Sequence, residues 1–127
     1  MSTLPDKNEI EFAKIKEIAN SLNDHPVFML NLNKYFDRSG FLNQNEKYSD
    51  YIKTVYAILH ETGGKMLWRS TVHDQMVGNQ EIDEVWAVWY PSHKAFLNLK
   101  DVPTAAKSFT VKRQIVERAV IQRCDPF

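Results

Sequence analysis

The chain has 127 residues, 43% of them hydrophobic, and its 16 basic side chains balance 16 acidic ones. One domain with a real core is expected at that length. The balanced charge argues against a nucleic-acid binder built on a basic face, and no apolar run approaches the roughly 20 residues of a membrane span.

In chain order, residues 6–23 read as a helix. Asp6 and Glu9 have capping-box spacing, and Ile10, Ala13, Ile18 and Leu22 recur near the helical period. Asn23-Asp24-His25-Pro26 breaks it, because proline disfavours helix in the residue before it. Val27–Asn33 reads as a first strand. Phe28, Leu30 and Leu32 make one apolar face, expected to pack on the helices, while Val27, Met29, Asn31 and Asn33 make the other. Lys34–Asn43 is polar and reads as a loop of functional length.

Tyr48, Tyr51, Ile52, Val55, Ile58 and Leu59 fit the 3.6-residue repeat and predict a second helix over Gln44–Thr62, closed by a left-handed Gly63. A second strand is expected from Lys65 to about Val77, a turn at Gly78-Asn79, and a third strand over Ile82–Tyr90. Ser92 is placed to cap a short helix over His93–Leu99. After Asp101-Val102-Pro103, a further helix over Thr104–Glu117 precedes a last strand over Ala119–Cys124.

An N-terminal helical extension over residues 1–25 thus precedes a β-α-β-β-α-β domain over residues 26–127, an α+β fold of the ferredoxin-like split βαβ type. Its sheet carries helices on one face only. A second copy of the chain is the natural cover for the other face, so a homodimer is expected.

The chain resembles the domain of unknown function 1330 family, within the dimeric α/β-barrel superfamily. The residues that carry the resemblance are Met29-Leu30-Asn31-Leu32-Asn33-Lys34, Tyr48 with Tyr51, Gly63-Gly64-Lys65 with Leu67-Trp68-Arg69, Gly78, and Tyr90-Pro91-Ser92 followed by Ala95-Phe96. Arg113 matches the arginine that such proteins carry in the last helix, while Lys112 stands where they often have histidine. The superfamily includes cofactor-free monooxygenases, isomerases, haem enzymes and ligand-sensing domains, and fold alone chooses none of these.

Asn31 and Asn33 project to one side of the first strand. Either they line a cavity against a partner sheet, or they pair with backbone or water near the strand end. Trp68, Trp86, Trp89 and Tyr90 are large rings suited to a pocket wall, to the core or to a dimer interface. Arg113 is spaced for a helix-surface pair with Glu117, and the resemblance adds two equal alternatives, reaching a ligand carboxylate or bracing the sheet. His25, His60, His73 and His93 show no metal-ligand spacing, Ser92 lacks a nucleophile elbow, and Cys124 has no evident activating partner. A lone cysteine forms no internal disulfide, and Met1-Ser2-Thr3-Leu4-Pro5-Asp6 lacks a secretory pattern, so a cytoplasmic protein is expected.

The expected site residues are Asn31 and Asn33 for hydrogen bonds, Trp68 and Trp89 as walls, and Arg69 or Arg113 for charge. The expected partner is a small organic molecule held without cofactor or metal, with no nucleic acid and no membrane. If the protein is an enzyme, a cofactor-free oxygenase or isomerase acting by proton abstraction ranks first. The alternative is a non-catalytic binding or interaction protein whose sheet face is only a dimer interface.

Overall fold

The strand-forming runs assemble into one antiparallel sheet in the computed structural model, which describes residues 7–125, with side chains from Ala13 onward. The strands are β1 (Val27–Tyr35), β2 (Lys65–Thr71), β3 (Glu84–Tyr90) and β4 (Val116–Cys124), in the order β2-β3-β1-β4. The helices are α1 (Lys7–Ala19), α2 (Arg38–Leu42), α3 (Glu46–Thr62), α4 (His93–Leu97) and α5 (Ala105–Ile115), with a 3-10 turn over Asn98–Asp101. The long helices α3 and α5 lie together on one side of the sheet. A 2.9 Å hydrogen bond joins the Thr54 and Ser108 hydroxyls between them.

Local chemistry accounts for most of the helix ends. The Asn45 side chain accepts the Tyr48 N–H at 2.9 Å and opens α3, and the Ser92 hydroxyl accepts the Ala95 N–H at 3.0 Å and opens α4. Gly63 ends α3 at φ 78°, a conformation that side chains with a Cβ rarely adopt. The Asp6 cap proposed for α1 lies outside the described residues, and Leu22 stands fully exposed beyond the helix.

Several boundaries differ from the sequence reading. The stretch 34–43 is not simply a loop. β1 runs on to Tyr35, and Asp37 then caps α2 by accepting the Gly40 N–H at 3.0 Å. β2 stops at Thr71, and residues 72–83 form an irregular connection rather than a tight hairpin. Buried Asp83 pins the end of that connection. Its carboxylate accepts the Tyr35 N–H at 2.7 Å and pairs with Arg38 at 2.6 Å. The last helix gives way to β4 at Val116, three residues early, because Val116 pairs with Tyr35 and is buried.

The faces of β1 are the reverse of expectation. Val27, Met29 and Tyr35 are buried in the core with Tyr48, Tyr51, Ile52 and Leu59 of α3 and with Trp86, Val88 and Tyr90 of β3. Register carries Asn31 and Asn33 onto that same helix-facing side, opposite Trp86 and Glu84. Phe28, Leu30 and Leu32 stand on the open side, beside Trp89, Ala87 and Val85 of β3 and Cys124, Gln122 and Val120 of β4. Both sets are apolar enough to pack. The buried carboxylate of Glu84 breaks the tie, because its hydroxyl donors come from Tyr35 of the same strand face and Tyr48 of α3.

Candidate functional site

Between the helix-facing side of the sheet and the helices lies an open-mouthed cavity of about 820 Å³. Trp86, Val88 and Tyr90 of β3 and Asn31 of β1 form its sheet wall. Tyr51, Val55, Ile58 and Leu59 of α3 form one side, and Ser108, Phe109 and Lys112 of α5 another. Ala13, Lys16 and Ala19 of α1 and Lys94 and Phe96 of α4 border the remaining side, with Lys100 and Asp101 nearby. A cavity of this size and mainly apolar lining suits a small organic ligand.

A few polar groups interrupt the apolar wall. Asn31 donates its side-chain N–H to the Met29 carbonyl at 3.2 Å, and its amide oxygen has no partner among the described residues. The Trp86 indole N–H is buried without a partner, as is the Asn33 amide nitrogen next along β1. Burial first, and for Tyr51 the nearby Glu84 charge, push the phenols of Tyr51 and Tyr90 well above the ordinary tyrosine value, so both remain hydrogen-bond donors. Burial also lowers the Lys112 ammonium below the ordinary lysine value.

Beyond Asn31 and Trp86 along the sheet sits a buried carboxylate. Glu84 is 4% exposed and accepts the Tyr35 hydroxyl at 2.8 Å and the Tyr48 hydroxyl at 2.7 Å. Arg69 of β2 reaches the same Tyr48 oxygen at 3.4 Å and lies over the Tyr56 ring. Burial and the Glu84 charge hold the Tyr35 and Tyr48 phenols far above their ordinary value. The cluster ties β1, β3 and α3 together.

The six residues expected to form one site are separated. Asn31 lines the cavity. Asn33 lies on the same face, 2% exposed, opposite Glu84. Arg69 shares that side through Tyr48. Trp68 and Trp89 stand on the opposite, open face, with Trp68 half exposed and the Lys65 ammonium 5.6 Å from the Trp89 ring centre. Arg113 is exposed on α5 and contacts the Thr110 hydroxyl at 3.5 Å. Its neighbour Lys112 turns to the cavity instead. The helical offset from Ser108 to Lys112 is the signal that finds it, since residues four apart share a face.

None of the four histidines lines the cavity. His93 is buried and pairs with Asp24 at 3.0 Å, and its ring meets His25 edge-on. Burial opposes ionisation of Asp24, but the His93 N–H and ring together with the Lys94 N–H hold its carboxyl below the usual value. Cys124 is half-buried and contacts the Gln122 carbonyl at 3.7 Å. Among the described residues no group of three or more His, Cys, Asp or Glu could hold a metal ion, and no helix is long and apolar enough to cross a membrane.

Comparison with solved structures supports the fold. A Rhodopseudomonas palustris protein of unknown function superposes with a TM-score of 0.73 at 23% identity, over 98% of this chain and 95% of the other. A Mesorhizobium loti protein of the dabb family, with a ferredoxin-like fold, gives 0.57 at 13% identity, over 81% and 98%. An Arabidopsis thaliana protein gives 0.56 at 13% identity, over 80% and 95%. No family model and no curated protein matches the chain.

Proposed function

We propose that this α+β protein binds a small, mainly apolar organic molecule in the cavity between its sheet and its helices. The observation that carries the reading is the cavity itself, roughly 820 Å³ walled by aromatic and aliphatic side chains. A partly enclosed, mainly apolar cavity of that volume is the usual form of a small-molecule site. The short motifs from Met29 to Phe96 further support kinship with the domain of unknown function 1330 family.

Two copies of the chain close the open sheet face in this reading. Phe28, Leu30, Leu32, Val85 and Trp89 form a contiguous apolar stripe there, flanked by Trp68 and by Val120, 50% and 40% exposed. A stripe of that kind favours a partner surface. Burying it in an obligate dimer removes roughly 2,000 Å² or more in total.

Binding is favoured over catalysis by the proton inventory. A cofactor-free oxygenase or isomerase needs a base at the substrate, and the cavity holds no histidine. Tyr51 and Tyr90 keep their protons, which leaves Lys112 as the one deep candidate among the described residues.

Native mass spectrometry after gentle purification tests both parts. The expected result is a dimer carrying a small molecule that Ile58→Trp expels by filling the cavity. A folded, ligand-free monomer that binds none of a panel of aliphatic and aromatic compounds overturns the reading.

A further inference from the structure

The polar groups on this cavity are unequal in kind. Among the described residues, Lys16, Lys94, Lys100 and Lys112 border it against a single acid, Asp101, although the chain as a whole is neutral. The ion pairs among the described residues involve Lys34, Arg38 and His93, and none of these four lysines. The sheet wall also holds two buried donors without a hydrogen-bond partner among the described residues, the Trp86 indole N–H and the Asn33 amide nitrogen, both closed off from the cavity space. The phenols of Tyr51 and Tyr90 likewise have no hydrogen-bond partner among the described residues. Against these stand the Asn31 amide oxygen in the wall and, exposed at the rim, the side chains of Asn20, Asn98 and Asp101.

A donor left buried without an acceptor is costly, and a cation beside an apolar wall is costly until it meets an anion. A ligand that supplies acceptors and a negative charge relieves both. We propose, resting on the cavity reading above, that the ligand is an amphipathic carboxylate whose apolar body fills the aromatic wall and whose acid group meets Lys112. A carboxylate offers two acceptor oxygens, enough to take the Lys112 ammonium and a neighbouring neutral donor together. Lys112 is the half-buried member of the four, while Lys16, Lys94 and Lys100 are exposed around the cavity and draw anions toward it.

The test uses the full chain and three probes of equal length, octanoate, 1-octanol and octylamine, titrated by calorimetry at neutral pH. Octanoate is expected to bind at least about tenfold more tightly than octanol, with octylamine weakest, a factor that corresponds to one charge-assisted contact. Lys112→Gln is expected to abolish the advantage of octanoate while leaving octanol unchanged, and Lys112→Arg to retain it. Equal affinity for octanoate and octanol in the parent protein overturns the carboxylate assignment and leaves the cavity reading standing. An octanoate advantage that survives Lys112→Gln also overturns the assignment to Lys112. Absence of binding by all three probes overturns both.

Discussion

Removing both hydroxyls that serve Glu84, by Tyr35→Phe with Tyr48→Phe, strands a carboxylate that is 4% exposed. Each hydroxyl-to-carboxylate bond, at 2.8 and 2.7 Å, is worth about 1.5–3 kcal/mol. No other side chain among the described residues donates to this carboxylate, so losing the second donor costs more than losing the first. The pair together is expected to cost about 3–5 kcal/mol, the magnitude for a buried charge left uncompensated. Adding Glu84→Leu removes the charge and is expected to recover about 1–3 kcal/mol, since an apolar triad leaves no polar group unpaired. Urea unfolding at neutral pH reads this from the midpoints, provided the slope with denaturant is unchanged. A triple variant less stable than the double refutes the account of this cluster.

Three further outcomes are expected. Gly63→Val costs about 1–2 kcal/mol because φ is 78° there, and a midpoint equal to the parent's counts against it. Tyr35, Tyr48, Tyr51 and Tyr90 all titrate above the ordinary value of 10.0. Their stabilising effect is therefore complete below about pH 10 and is lost as pH rises, by about 1.4 kcal/mol per unit for each buried phenol. Lys112 acts in the opposite sense and offsets at most one of them. Chemical denaturation with flat midpoints from about pH 9.5 to 11 contradicts this reasoning. Leu30→Asp on the open sheet face is expected to shift the proposed dimer to a folded monomer in sedimentation, and unchanged sedimentation counts against pairing of the sheets.

The sequence by itself determined what depends on neighbours along the chain. The apolar repeat from Tyr48 to Leu59 is a helix, Gly63 is left-handed, Ser92 caps α4, and the β-α-β-β-α-β order of the sheet and its two long helices follows. It did not determine which side of β1 meets the helices. Val27 and Met29 on one face and Phe28, Leu30 and Leu32 on the other are equally able to pack, and strand alternation is symmetric between them. Only tertiary structure chose, because the Glu84 carboxylate had to meet the Tyr35 and Tyr48 hydroxyls, contacts that span 49 and 36 residues. That choice carried Asn31 and Trp86 to the helix side and left Trp68 and Trp89 on the other. The same limit hid Lys112 behind Arg113: adjacent helix residues point about 100° apart, and which of them meets the cavity is fixed by how α5 is rotated against the sheet.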